Sequence, residues 1–286
     1  MPSIGALWRG WRDVLARLGF ASAALDAKLL TGHALGLTML DLAVRENDPV
    51  DEIAALKVAE LLERRITGES VARIIGFREF YGLPFELNEA TLEPRPETEL
   101  LVELALGALP AGGQILELGT GTGCIPISIL ANQPDATAVA VDLSARALEA
   151  ARENATNNGV GERIGFLHGS WFEPLYAFPE GGKERFDLIV SNPPYITSAV
   201  VETLEPEVRD FDPRLALDGG PDGLAPYRVI AREAADWLRP NGWVIVEIGY
   251  DQGAAVSALF IEAGYEDVTV HKDLNRLDRV VCAHHI

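Results

Sequence analysis

The sequence predicts an α/β protein: a doubly wound, seven-stranded, mostly parallel sheet with a small N-terminal helical domain and a connecting β-hairpin. Three observations predict it. From about residue 91 onward, short apolar segments of strand type alternate with helical patterns. The first of those strands runs into a glycine loop that opens a helix. Before residue 70 the apolar residues recur only at helical spacing. The chain has 286 residues, 48% hydrophobic and 23% charged, which suits a folded protein with a large core and not a disordered one.

In order along the chain, Ile4, Leu7, Trp8, Trp11, Val14, Leu15 and Leu18 form one apolar helical face, with arginines on the other. On that stripe Trp8 and Trp11 are expected to be core residues. Helical patterns follow at residues 22–35 and 49–66, separated by Gly36 and the Asn47-Asp48-Pro49 turn signal. Residues 1–70 therefore read as a helical bundle. Residues 71–87 are rich in β-branched and aromatic types around Tyr81-Gly82-Leu83-Pro84, the pattern of a hairpin, so 71–90 is expected to join two domains. Pro96 suits a first helical turn, with Glu97 and Glu99 beside its positive end. Within residues 91–286, strands are expected near 114–118, 138–141, 164–168, 186–190 and 243–248, and a closing pair near 267–270 and 278–282.

Charge and cysteine usage narrow the function. Against 24 Lys and Arg stand 43 Asp and Glu, a net charge of -19 with no basic block, which disfavours direct binding to nucleic acid. No run of the roughly 18 apolar residues needed for a membrane helix occurs. Arg9, Arg12 and Asp13 interrupt any secretory apolar region, so a reducing cytoplasm is expected. Cys124 and Cys282 are far apart and form no metal-binding pattern, so neither a disulfide framework nor a metal site is expected. In that compartment the acceptor-like Asn154-Ala155-Thr156 triplet is read as chance.

Ile115-Leu116-Glu117-Leu118 leads into Gly119-Thr120-Gly121-Thr122-Gly123. Glycines let the backbone approach a ligand closely, and the following helix offers unpaired N–H groups. The third glycine comes one position too early for a dinucleotide fingerprint, which argues against a pyrophosphate ligand. Asp142, at the end of the next strand and about 20 residues on, suits ribose hydroxyls. A nucleoside without a phosphate requirement fits this combination.

The strand at 186–190 delivers Asn192-Pro193-Pro194-Tyr195 at its C-terminal end. The prolines remove donors and hold the preceding residues extended, leaving carbonyls as fixed acceptors. An amide or aromatic amine has a delocalised lone pair and two in-plane N–H bonds. The Asn192 oxygen and a nearby carbonyl can accept both hydrogens, fixing the plane so that the perpendicular lone pair faces a methyl donor. Tyr195 can stack on the planar group. A glutamine amide and an adenine amine present the same two donors, so the tetrapeptide alone leaves both open.

The glycine loop, from Glu117 to Gly123, resembles the first motif of class I S-adenosylmethionine-dependent methyltransferases, which have a Rossmann-like fold. Five ordered motifs sharpen that likeness: Pro94-Arg95-Pro96-Glu97-Thr98-Glu99, the loop 118–123, Ser170-Trp171-Phe172-Glu173-Pro174-Leu175, Asn192-Pro193-Pro194-Tyr195, and residues 217–224. Together with the helical N-terminus they resemble the peptide chain release factor N5-glutamine methyltransferases over nearly the whole chain. The resemblance implies S-adenosyl-L-methionine on Gly119, Thr120, Gly121, Thr122 and Gly123, with Asp142 on the ribose, Trp171 near the adenine, and Asn192 reaching both cofactor and substrate. It implies that Asn192, Pro193, Pro194 and Tyr195 hold the glutamine amide of the Gly-Gly-Gln motif of class-1 release factors, with Asn192 and Tyr195 catalytic and no metal. The helical domain would help dock that protein partner, and a monomer is expected. A large-subunit ribosomal protein and, less favoured, adenine in nucleic acid are the alternative substrates. Glu117, Glu93 and Ser170 depart from the family pattern, and Ser170 bears on hydrogen bonding near the adenine.

Other polar residues have plainer readings. Arg95, between prolines, is expected in a structural ion pair, and Glu97 and Glu99 as helix N-terminal acids. Residues 218–223 require a special turn beside the cleft. Cys124 is expected to be a packing residue, and His284 and His285 a solvated tail.

Overall fold

The computed structural model describes residues 1–177 and 185–286. They form two compact units, Met1–Phe77 and Arg78–Ile286. No helix among the described residues is long and apolar enough to cross a membrane.

The first unit is helical: Ile4–Arg17, Ala23–Leu35, Met39–Val44, Glu52–Ile66 and Val71–Ile75. Side-chain caps decide where these helices begin. Ser3, Asp51 and Ser70 each accept a hydrogen bond from the third residue on, and Thr38 and Asp41 form a reciprocal capping box. Asp51 thus starts the fourth helix at Glu52 and not at Pro49, whose backbone pairs with Ser3. Ser70 and Gly76 (φ +85°) likewise bound a short helix over Val71–Ile75, where β-branched composition suggested a strand. The caps outweigh that intrinsic preference. Leu15, Ala27, Leu30, Val58 and Leu62 are wholly buried in the bundle core. Beside them Arg65 donates to Asp26 at 2.8 Å, both side chains being buried, and its guanidinium lies over the Phe20 ring. Trp11 packs on that core, whereas Trp8 is only half-buried, with Arg9, Arg12 and Lys28 around its ring.

The hairpin is shorter than expected, β1 (Phe77–Phe80) and β2 (Leu83–Glu86), and turns at Tyr81 and Gly82, both of positive φ. Phe80 and Phe85 meet edge to face inside the core of the second unit. The main sheet contains β3 (Gln114–Leu118), β4 (Thr137–Asp142), β5 (Ile164–His168), β6 (Phe186–Ser191), β7 (Leu238–Glu247), β8 (Glu266–Lys272) and β9 (Asp278–His285). Their spatial order is β5-β4-β3-β6-β7-β9-β8; β9 runs antiparallel to both β7 and β8, and the other neighbours pair in parallel. Alternation along β3 sends Ile115 into one core layer and Leu116 and Leu118 into the other.

His284 and His285 are not a solvated tail. They extend β9 against β7, and the His284 ring stacks on Trp243 with centroids 4.6 Å apart, because continued pairing satisfies the backbone of both strands. Asn154 is wholly buried, bonding the backbone of Glu86 and Thr122. Burial closes it to glycosylation in the folded chain.

Candidate active site

From β3 the chain crosses to β4 on one side, while β6 lies on the other, so the strand order reverses between β3 and β6. Open α/β sheets bind ligands outside the carboxyl ends of their strands at this point. A cleft of about 640 Å³ lies there within the second unit, lined by residues of the glycine loop, the ends of β4 and β5, Asn192 and Pro194, and the 218–220 turn.

The loop after β3 keeps the glycine requirement. Gly119, Gly121 and Gly123 have φ of +76°, +55° and +79°. A Cβ at Gly119 or Gly121 would meet no protein atom within 4 Å, so their faces stay open toward a ligand, whereas at Gly123 it would meet Ile127 at 2.8 Å. The first two glycines serve access; the third serves packing of the helix Cys124–Asn132.

Asp142 is 9% exposed and fastens the loop: Gly121 N–H donates to Oδ2 and Ser144 N–H to Oδ1, each at 2.8 Å. Burial raises its pKa, and these two bonds offset part of the rise. Each carboxylate oxygen retains a lone pair for a hydroxyl. Glu117 is wholly buried beneath the loop, accepts from the Thr120 hydroxyl through Oε2 and leaves Oε1 without a partner among the described residues. Burial pushes its carboxyl far above the usual range. Trp171 (φ +49°) and Ser170 line the cleft beyond β5. Cys124 also borders the cleft, and burial pushes its thiol up to about 12, a poor nucleophile.

Asn192 leaves the end of β6 and donates Nδ2 to Thr98 Oγ1 at 3.3 Å; the Thr98 hydroxyl in turn donates to Glu247 Oε2 at 2.6 Å. Pro194 faces the cleft with it. Pro193 is buried, and the Tyr195 ring packs on the second core layer, outside the residues lining the cleft. Burial and nearby Glu247 push the Tyr195 hydroxyl up to about 12. Gln252 holds this segment, donating to Tyr195 O at 3.0 Å and Gly223 O at 3.2 Å while its Oε1 accepts from Gly249 N–H. The 218–223 turn comes so close that a Cβ on Gly219 would sit 2.6 Å from Pro194 O.

The structure therefore brings the glycine loop, Asp142, Trp171, Asn192 and Pro194 together, and leaves the rings of Pro193 and Tyr195 outside. Arg95 also lines the cleft, paired with the buried Asp212 at 2.9 Å, and Glu93 pairs with Arg78. Glu99 accepts from Tyr81 N–H. Glu247 escapes a reading by motif, and Thr98, although inside the Pro94–Glu99 motif, has no role of its own in that reading. The available signal for Glu247 is an acid ending an apolar run, Trp243-Val244-Ile245-Val246-Glu247, in a strand buried on both faces.

Comparisons with known proteins bear on this geometry. Residues 6–76 match the family model of the PrmC N-terminal domain and residues 96–205 that of the Methyltransferase small domain. A release factor glutamine methyltransferase from Agrobacterium fabrum is 44% identical over 276 residues, covering 94% of this chain and 93% of its own. Its counterpart from Caulobacter vibrioides is 45% identical over 279 residues, covering 96% and 93%. A solved methyltransferase from Pyrococcus furiosus matches with a TM-score of 0.52 at 18% identity, over 80% of this chain and 100% of that one, a likeness of fold.

Proposed function

The chain belongs to the release factor glutamine methyltransferases, and from that premise we propose how its cleft carries out the reaction. It is an S-adenosyl-L-methionine-dependent enzyme that methylates glutamine of release factors, and in this reading the methyl group goes to the side-chain amide nitrogen of the Gly-Gly-Gln motif of the class-1 factors. One observation carries the site reading: Asn192 and the open glycine loop share one cleft at the reversal of strand order.

The residues suit the cofactor. Gly119 and Gly121 leave room for close approach, Asp142 keeps acceptor capacity for ribose hydroxyls, and Trp171 offers an apolar face for an adenine. Gly119, Thr120, Gly121, Thr122, Asp142 and Trp171 would hold it, with Gly123 shaping the loop and Asn192 only touching its reactive end. When bound, it supplies a methyl group activated by a positively charged sulfur. The chain's part is to make a poor nucleophile face that carbon. Asn192 Oδ1 and a backbone carbonyl of the Asn-Pro-Pro segment accept the two substrate N–H hydrogens, fixing the amide plane. The prolines keep that backbone extended and without competing donors. Gln252, donating to the Tyr195 carbonyl, anchors the far end of that segment. The amide proton becomes acidic only as the new N–C bond forms and is then released to solvent water, so no strong base is required.

The release factor is the sole macromolecular partner in this reading. The enzyme acts as a cytoplasmic monomer without a metal, a membrane or direct contact to nucleic acid. The net charge of -19 opposes the adenine reading.

Paired variants test the site. Asn192→Ala should bind S-adenosylmethionine within about threefold of wild type by calorimetry yet turn over at least about 10- to 100-fold more slowly, as expected when an aligned hydrogen bond worth about 1–3 kcal/mol is lost. Asp142→Ala should instead weaken cofactor binding directly. Full turnover in the first, or unchanged affinity in the second, contradicts the corresponding role.

A further inference from the structure

Two features beside the cleft, left without a role by the reading above, converge on Asn192. One is the Pro94–Thr98 approach to the helix Glu99–Ala108, which brings Thr98 to the cleft wall; the other is Glu247, which ends β7. Register explains the meeting. Ser191 pairs with Val246, so the next residues, Asn192 and Glu247, leave adjacent parallel strands side by side.

We propose that Thr98 and Glu247 are positioning residues that fix which way round the Asn192 carboxamide stands, so that its oxygen and not its nitrogen meets the substrate amide. The proposal rests on Asn192 being the group that receives that amide.

A carboxamide has two ends of similar size and opposite hydrogen-bonding character. Turned the wrong way, Asn192 would oppose its own NH₂ to the substrate N–H groups, donor against donor. The order of bonds behind it prevents this. An ionised Glu247 can only accept, so the single Thr98 hydroxyl hydrogen goes to Oε2 at 2.6 Å. Thr98 Oγ1 then has only lone pairs to offer, and Asn192 must present Nδ2 to it, as it does at 3.3 Å. The Asn192 amide also lies near enough to the Glu247 carboxylate to favour its charged form. A flipped amide would set Oδ1 against a lone pair and a carboxylate. Thr98 and Glu247 are each 2% exposed, so water cannot readily relieve that conflict.

The lock depends on the charge of Glu247. A protonated carboxyl can donate to Thr98, which frees the Thr98 hydrogen for Asn192 Oδ1, and both amide orientations become acceptable. The groups facing Glu247 are Arg279 from β9, Glu97 and Thr98 from the segment before the helix Glu99–Ala108, Asn192 and Tyr195 from beyond β6, Cys124 from the helix Cys124–Asn132, and Tyr227, whose hydroxyl donates to Glu247 O at 2.8 Å. Burial outweighs Arg279 and raises the carboxyl to about 7. The lock is thus set above neutral pH and released below it.

The test measures kcat against pH with a release factor as substrate, alongside calorimetric affinity for S-adenosylmethionine, for wild type, Glu247→Gln, Thr98→Val, Thr98→Ser and Asn192→Ala. Wild-type kcat should fall as pH drops below about 7. Glu247→Gln, which has the same shape and removes a buried charge, should bind the cofactor within about twofold, lose about tenfold or more in kcat, and lose the acidic limb. Thr98→Val should lose a similar factor, and Thr98→Ser, which keeps the hydroxyl, should recover most of it. Wild-type kcat and an unchanged pH limb in Glu247→Gln overturn the proposal, as does a loss of kcat matched by an equal loss of cofactor affinity. Asn192→Ala separates the two levels of the argument. If it turns over normally, the substrate role of Asn192 fails. If it is slow while Thr98→Val and Glu247→Gln match wild type, only the orienting role fails.

Discussion

Glu247 links chemistry to stability in opposite directions. Its carboxyl is raised to about 7 in the folded chain from an ordinary 4.5, chiefly by burial. Between those values the folded state binds the proton and the unfolded state releases it, so stability falls as pH rises through the window and levels off above 7. The size is about 3 kcal/mol from this group alone. Urea unfolding at pH 5 and pH 8 should therefore show a smaller decline for Glu247→Gln than for wild type; equal declines contradict the assignment. At this scale Asn192 and Asp142 were legible in sequence, since each follows directly from a strand with a recognisable motif or spacing. Thr98 and Glu247 were not. Their meaning depends on the β6–β7 register and on a cap 94 residues before Asn192, neither of which leaves a local pattern. Tyr195 was expected to face the substrate, yet its ring packs on core and its carbonyl is what Gln252 holds.

At the scale of elements, termini proved harder to read than centres. The strands at 114–118 and 164–168 match their expected bounds: the first is buried and runs into the glycine loop, and the second, partly exposed at the sheet edge, is closed by Gly169. Val71–Ile75 went the other way: a Ser cap and a left-handed Gly76 form one helical turn out of β-type residues. The 218–223 turn shows why its glycines are needed. Gly223 has φ +72°, and a Cβ there would lie 2.4 Å from Tyr195 O and 2.8 Å from Gln252 Nε2. Gly223→Ala should cost about 1–3 kcal/mol in denaturant unfolding, from backbone strain plus the displaced contacts, and should lower kcat more than cofactor affinity. A neutral substitution would mean that the turn does not brace the Asn-Pro-Pro-Tyr segment.

For the whole molecule, the alternating pattern was enough to read a doubly wound sheet, but the order that inserts β9 antiparallel between β7 and β8 becomes definite only in three dimensions. Net charge acts at this scale too. A chain of charge -19 attracts a positively charged partner surface most strongly at low ionic strength, and screening beyond a Debye length of about 8 Å at physiological salt weakens the attraction. Raising salt should increase KM for the release factor with little change in kcat or in cofactor affinity. A salt-independent KM would remove charge from the account of partner choice. The central claim is that this cleft methylates a glutamine amide in a release factor, and tandem mass spectrometry of the Gly-Gly-Gln peptide tests it most directly. After incubation with S-adenosylmethionine and, separately, a release factor, a large-subunit ribosomal protein and duplex DNA, the account predicts one added methyl group on the glutamine side-chain nitrogen of the release factor. Methylation of the DNA alone, or of the ribosomal protein alone, would contradict it.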